Sequence, residues 1–165
     1  MAESKKWRSA WPRADRRELV HSVRTAIAAV LALLIGRLCK LPESYWAAIT
    51  TLIVMQSTLG AALTISKQRL AGTALGAAMG ALFATYARQN VTVFGVGIFL
   101  SGVICALLRM ERNAYRYAGI TLAIVMLVAR AQPAWVIAVH RFIEISLGIS
   151  VGLLMTAVWP EAEPR

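Results

Sequence analysis

The sequence is poor in acidic residues and in cysteine, and both shortages exclude classes of protein. Eight Asp and Glu stand against eighteen Lys and Arg in 165 residues, so the formal net charge is +10. The two cysteines, Cys39 and Cys105, form neither a metal-ligand spacing nor a disulfide framework. They are predicted near opposite faces of a membrane, too far apart for a disulfide, and are interpreted as small buried apolar residues.

Catalytic motifs are missing as well. The sequence has no nucleophile accompanied by a base and an acid, no Walker or dinucleotide-binding glycine loop, and no metal-ligand spacing. We therefore expect no enzyme, no cofactor and no metal site. The positive charge alone could indicate nucleic-acid binding, but seven of the eighteen basic residues precede residue 25 and most others lie between apolar runs. That distribution favours a membrane protein without a nucleic-acid partner.

What the chain has in abundance is apolar residues. They make up 58% of it, charged residues make up 16%, and the mean hydropathy is +0.61, whereas an average soluble domain is about a quarter charged. We predict an all-α integral membrane protein with six transmembrane helices, over residues 19–38, 45–63, 69–86, 91–108, 117–130 and 135–159. The fifth segment is short of the roughly 20 residues that a straight spanning helix needs.

The segments outside the spans predict the orientation. Residues 1–18 form a basic, Trp-containing segment expected at the cytoplasmic membrane surface, residues 160–165 form a short tail, and residues 66–68 are predicted to form a loop before the third span. Six spans place both termini on one side, which receives thirteen of the eighteen Lys and Arg. A multi-pass protein of the inner (plasma) membrane with cytoplasmic termini is therefore expected. Trp46 and Tyr117 lie at predicted span ends and are interpreted as interfacial rings.

Two stretches repeat an arginine followed by small residues at four-residue intervals. Because residues four apart share a helix face, the glycines predict close helix packing. In the second stretch an acid replaces the first glycine. The stretches contain Arg69, Gly72, Gly76 and Gly80, then Arg141, Glu144, Gly148 and Gly152.

A second match precedes each of these stretches. Residues 48–55 and 119–126 are identical at five of eight positions, with an offset of 71 residues against 72 for the arginine stretches. Two matches at nearly one offset predict two three-helix repeats, and three crossings per repeat require the second to be inverted. The alternative is that apolar segments with a small alphabet match by chance.

Inverted repeats often place a transport site where interrupted helices meet near the midplane. Residues 56–60 and 130–133 are the corresponding interruptions, although the second could be a simple outer loop. An arginine without a partner acid in its own turn, such as Arg69, suits a transported anion, whereas Arg141 and Glu144 can pair on one face. Snorkelling to the headgroups is the alternative for each arginine. The pathway candidates are Arg24, Gln56, Thr58, Arg69, Arg130, His140, Arg141 and Glu144.

Three segments resemble one known family. They are residues 21–26 (HSVRTA), residues 45–50 (YWAAIT), and the pattern Arg-x-x-Gly-Thr-x-x-Gly-x-x-x-Gly that begins at Arg69. Together they resemble the fusaric acid resistance (FUSC) and aromatic acid exporter family, and the membrane domain is similar to that of the aluminium-activated malate channels. The resemblance, over most of residues 20–158, implies a six-helix membrane domain that moves organic anions out of the cytoplasm.

Two hypotheses follow. The first is a transporter or channel subunit for organic anions, such as aromatic or other carboxylic acids. The second is a membrane scaffold or partner subunit in which the arginines set only the topology. Membrane lipid is an expected partner in both. Many family members add a large cytoplasmic region or a second membrane domain, so we expect a homo-oligomer, with a dimer favoured, or a minimal member whose substrate is not aromatic.

Overall fold

The computed structural model describes residues 16–56, 58–87, 90–128 and 132–160. These residues form six α-helices and no β-strand: α1 (Arg16–Leu38), α2 (Tyr45–Val54), α3 (Leu59–Tyr86), α4 (Val91–Leu107), α5 (Arg112–Leu127) and α6 (Ala134–Val158). The all-helical prediction is confirmed for the described part of the chain. The predicted segment 1–18 up to residue 15, the tail from residue 161, and the candidate Arg130 lie outside it.

Length and composition identify two helices that could cross a membrane. They are α1, from Glu18 to Leu38, and α6, while α2 and α4 are apolar but shorter. The remaining predicted spans stay predictions, as does the inverted repeat.

The distribution of polar and apolar side chains is the reverse of that in a soluble domain. Large apolar side chains are exposed along every helix, among them Leu38, Phe99 and Leu154. By contrast, Arg24 and Arg141 are the largest side chains that are almost fully buried, and Glu144 is buried with them. Charged residues are seldom fully buried in soluble proteins, whereas in membrane proteins they face the bundle interior. The pattern is typical of a helical membrane protein.

The start of α3 differs from the prediction. Residues 66–68 were expected to form a loop, but α3 begins at Leu59 and passes through them without a break. The Thr58 side chain caps the new start by accepting a hydrogen bond from the Ala61 amide, at 3.3 Å. Ser66 and Gln68 are buried on an interior helix face, and Gln68 hydrogen-bonds to Glu111 and Asn113 of the α5 region. Polar residues that suggest a loop in the sequence thus serve helix packing.

The packing of the helices determines which side chains meet. α3 packs mainly against α5, α6 packs against both α2 and α3, and α1 contacts α2 and α6. Arg24 of α1 donates hydrogen bonds to the carbonyls of Gln56, at 2.8 Å, and Trp159, at 2.6 Å. The start of α1, the end of α2 and the end of α6 therefore lie at one end of the bundle.

Cys39 is a correction at the opposite end of α1. The sequence interpretation made both cysteines buried, but only Cys105 is buried and Cys39 is exposed. The reason is its position, since Cys39 follows the last residue of α1 and opens the turn that leads to α2. Both cysteines are free thiols.

Candidate functional site

Four helices enclose a small cavity that contains both repeated arginines. α2, α3, α5 and α6 surround it, and its volume is about 10 Å³. A cavity of that size holds about one water molecule. We call it the arginine cavity; it is lined by Trp46, Arg69, Thr73, Tyr117, Thr121 and Arg141, together with Ile120, Ile124 and Ile145.

Arg69 is a buried cation that has no acidic partner in the part of the chain that the structure describes. It lies on α3, ten residues after the helix begins at Leu59, or about 15 Å along the axis at 1.5 Å per residue. Its exposed fraction is 4%. Nε and Nη2 donate to Thr50 Oγ1 at 3.3 and 3.1 Å, and the guanidinium carbon lies 4.9 Å from the centroid of the Tyr117 ring. No carboxylate of the described residues forms an ion pair with it.

This geometry removes one of the two interpretations of Arg69. A snorkelling arginine extends its guanidinium towards the headgroups and stays hydrated. Arg69 instead points into the bundle, where a hydroxyl and an aromatic ring replace water. The Thr73 hydroxyl, which lines the same cavity, is buried and has no hydrogen-bond partner. The arginine cavity therefore offers a cation and a free hydroxyl to an acceptor group.

Arg141, unlike Arg69, is paired with carboxylates. Nη2 forms a short ion pair with Glu43, and Nη1 lies 3.4 Å from Glu144 Oε2. The guanidinium carbon also lies 4.4 Å from the centroid of the Trp46 ring. Arg141 and Glu144 are each 1% exposed, and the Glu43 side chain is 16% exposed. The predicted pairing of Arg141 with Glu144 is present, and a second carboxylate joins it.

Further hydrogen bonds fix this group, which we call the Arg141 cluster (Glu43, Trp46, Arg141 and Glu144). The Glu43 amide donates to Glu144 Oε1 at 2.8 Å, and Trp46 Nε1 donates to Glu43 Oε2 at 3.0 Å. Both carboxylates thus accept more than one hydrogen bond, which buried charges require. The cluster joins the α1–α2 hairpin to α6 across about a hundred residues of sequence.

Each of the two arginines lies over an aromatic ring of a neighbouring helix. Arg69 of α3 lies over Tyr117 of α5, and Arg141 of α6 lies over Trp46 of α2. Cation–π contacts of this kind are worth about 0.5 to 2 kcal/mol each, more when desolvated. Trp46 and Tyr117 were interpreted as interfacial rings, but both face the arginine cavity.

Three residues of the candidate site were not predicted from the sequence. Glu43 is the only acid in the α1–α2 hairpin, yet its partner is 98 residues away. Trp46 and Tyr117 are 71 residues apart, which is the offset of the repeat. That shared offset was the available signal for placing the two rings beside the two arginines.

The other pathway candidates lie outside the arginine cavity. Arg24 binds the carbonyls at the other end of the bundle, and the Gln56 amide nitrogen bonds to Ile53 O at 3.3 Å. Thr58 is exposed and caps α3. His140 is partly buried beside Arg141 on α6, and its Nδ1 is buried without a hydrogen-bond partner.

The repeated glycines lie at helix contacts. A Cβ on Gly72 or Gly76 would collide with the Ala114 or Ala118 carbonyl of α5, and Gly80 lies against Val125. On α6, Gly148 faces the Ala47 carbonyl of α2, and Gly152 faces Val54. The backbones approach so closely that no side chain fits, which brings Arg69 and Arg141 to the rings on the neighbouring helices.

Proteins similar to the chain include two from Escherichia coli (strain K12). Inner membrane protein YeeA of Escherichia coli (strain K12) is 30% identical over 149 residues, which are 87% of this chain and 41% of that protein. The uncharacterized transporter YdhK of the same strain is 29% identical over 161 residues, 92% of this chain and 24% of that protein. The chain thus spans less than half of either relative. No solved structure matches it significantly.

The family comparison covers nearly all of the described residues. The sequence profile of the fusaric acid resistance protein family (FUSC) matches residues 18–164, a range that contains both arginine stretches and the whole arginine cavity. The resemblance seen in residues 21–26, 45–50 and 69–80 is confirmed. The chain belongs to the fusaric acid resistance protein family.

Proposed function

We propose that this chain is a membrane transporter, or a subunit of one, that moves organic carboxylate anions out of the cytoplasm. The observation that carries the proposal is Arg69, a buried cation with no carboxylate partner among the described residues. A buried unpaired charge is costly, so its position inside the bundle favours a role that a transient anion completes. Membership of the family and the name of the relative YdhK support transport.

The lining of the arginine cavity favours a carboxylate with an apolar body. A guanidinium presents paired donors that match the two oxygens of a carboxylate, and the Thr73 hydroxyl is a further donor. Trp46, Tyr117 and the isoleucines offer apolar and aromatic surface beside it. Aromatic acids and other carboxylic acids meet both requirements.

The present volume implies a closed state. About 10 Å³ accommodates a water molecule and no organic acid. Transport therefore requires α3 to separate from α5, or α6 from α2, on one side of the membrane at a time. We propose that these two contacts, each made by the third helix of one half with the second helix of the other, act as the two gates of an inverted repeat.

The proposal includes the location and assembly of the protein. The termini lie in the cytoplasm and the chain spans the inner membrane six times, which the excess of basic residues on one side supports. A homo-oligomer, with a dimer favoured, is the assembly that we propose. The scaffold hypothesis remains the competing function, and the closed cavity is the observation in its favour.

Reconstituted protein separates the two functions. We expect proteoliposomes loaded with a panel of aromatic and dicarboxylic acids to release at least one of them faster than protein-free liposomes. A scaffold releases none. Absence of release for every acid in the panel, under both an imposed pH gradient and an imposed membrane potential, would overturn the transport proposal.

A further inference from the structure

Among the described residues, the charges that line the arginine cavity or contact its arginines cancel. Arg69 and Arg141 line it and supply two positive charges, while Glu43 and Glu144 contact Arg141 and supply two negative ones. The sum is zero when both carboxylates are ionised. A carboxylate substrate bound at Arg69 would leave this interior with one uncompensated negative charge.

Such a charge is expensive in a low-dielectric interior. It can be removed without moving any helix if one of the two carboxylates takes a proton. From this balance we propose that Glu144 binds a proton whenever an organic anion binds at Arg69, so that the two ligands enter together. The inference rests on the proposed function and adds the coupling ion to it.

Geometry distinguishes Glu144 from Glu43 as the proton acceptor. Glu43 forms an ion pair with Arg141 and accepts a hydrogen bond from Trp46, and its side chain is partly exposed to solvent. Glu144 accepts a hydrogen bond from the Glu43 amide at 2.8 Å but only a long one, 3.4 Å, from the same guanidinium, and it is 1% exposed. Glu144 is therefore the carboxylate whose negative charge receives less compensation.

The charged and titratable groups near Glu144 can be named for each helix that packs against α6. On α6 itself they are Arg141 and His140, and Glu43 precedes α2. Arg69 of α3 and Tyr117 of α5 share the cavity with Arg141. Arg24 of α1 binds at the other end of α6, eighteen residues beyond Arg141. The proton itself comes from water and returns to water, and no other chemistry is involved.

The sign of the coupling follows from reciprocity. If anion binding favours protonation of Glu144, protonation favours anion binding by the same factor. Affinity for an anion should then fall as pH rises, by about tenfold per pH unit for one linked proton. Glutamine is neutral like the protonated acid, so Glu144→Gln should bind the anion with an affinity that is independent of pH.

Calorimetry of the purified full chain in detergent tests the proposal. Benzoate, or the acid of the transport panel that is released fastest, is titrated in two buffers of different ionisation enthalpy, over the pH range in which the acid stays ionised. We expect the wild type to take up about one proton per anion bound and Glu144→Gln to take up none. Glu18→Gln is the matched control, because Glu18 is an exposed acid in the first turn of α1, and it should behave as the wild type.

Each other outcome has a definite meaning. Anion binding without proton uptake in the wild type overturns the proton inference and leaves the proposed function intact. Uptake that persists in Glu144→Gln but disappears in Glu43→Gln overturns the assignment to Glu144. If no acid binds at all, the proposed function fails and the inference with it. Should Glu144→Gln not fold, the wild-type titration still decides whether a proton is coupled.

Discussion

Arg69 and Arg141 have identical side chains, similar burial and an aromatic ring each, but different charge environments. Arg141 lies between two carboxylates, whereas Arg69 is held by one hydroxyl. The first arrangement completes a structural ion cluster. The second leaves a positive charge available, and for that reason our proposal places anion binding at Arg69 and gives Arg141 a positioning role.

This difference predicts opposite effects on stability. Arg141→Gln leaves the buried Glu144 and the partly exposed Glu43 without their guanidinium, and breaking a buried ion pair typically costs about 3–5 kcal/mol. Arg69→Gln removes a charge that has no acidic partner, so its cost should be much smaller, and it can stabilise the protein. Thermal unfolding of both variants in one detergent is the measurement.

A compensating variant supplies the control. Changing Glu43 and Glu144 to Gln in the Arg141→Gln background removes the uncompensated charges and should recover a large part of the lost stability. Equal destabilisation by Arg141→Gln and Arg69→Gln would contradict the distinction between the two arginines.

The sequence predicts that Arg69 and Arg141 are unusual, but it does not predict which side chains surround them. Arg69, Arg141 and Glu144 are identifiable because ionisable residues within apolar segments are rare. Glu43 is not, since its contact depends on how the α1–α2 hairpin folds back onto α6. Contacts between residues about a hundred positions apart depend on how the helices pack. The spacing of residues along one helix does not predict that packing.

At the scale of the helices, the close contacts α3–α5 and α2–α6 determine the position of the site. The glycines of α3 and α6 allow backbone approach, and this approach brings each arginine over a ring of the opposing helix. The periodicity of these glycines, and the bounds of α4 and α6 to within one residue, follow from the sequence. The start of α3 does not, because the burial of Ser66 and the hydrogen bonds of Gln68 to Glu111 and Asn113 arise only in the folded bundle.

Substitution of single glycines tests the helix contact. Gly76→Ala places a methyl group against the Ala118 carbonyl of α5, so α3 and α5 must move apart, and overpacking of this kind costs about 1–3 kcal/mol. Gly95→Ala on α4 adds the same group where no atom lies within 4 Å, and it should be neutral or stabilise by up to about 1 kcal/mol. Thermal unfolding in detergent is again the readout, and equal loss in both variants would contradict the contact.

At the scale of the whole molecule, Arg24 holds the N-terminal part of the helical bundle beside its C-terminal part. Its hydrogen bonds to Gln56 and Trp159 hold the C-terminal ends of α2 and α6 beside the start of α1, where a cation is favourable because helix C-termini carry partial negative charge. The first and last helices thus enter and leave at the same end of the bundle. From the excess of basic residues on this side we propose that this end faces the cytoplasm.

The exposed thiol of Cys39 tests this orientation. Cys39 lies at the end of α1 opposite Arg24, so we expect a membrane-impermeant maleimide to label it from outside the inner membrane. Cys105 is buried and should react only after denaturation. Cys39→Ser is the control and should abolish the labelling. Labelling only after the membrane is disrupted would reverse the orientation.

The central claim is that Arg69 binds the transported anion, and efflux from proteoliposomes tests it most directly. Arg69→Gln is compared with Arg116→Gln, which changes an exposed arginine one residue before Tyr117, at equal amounts of folded protein. We predict that Arg69→Gln reduces efflux of the best acid at least about tenfold, which corresponds to the loss of about 1.4 kcal/mol of binding free energy, and that Arg116→Gln retains it. Efflux by Arg69→Gln equal to that of the wild type would contradict the account.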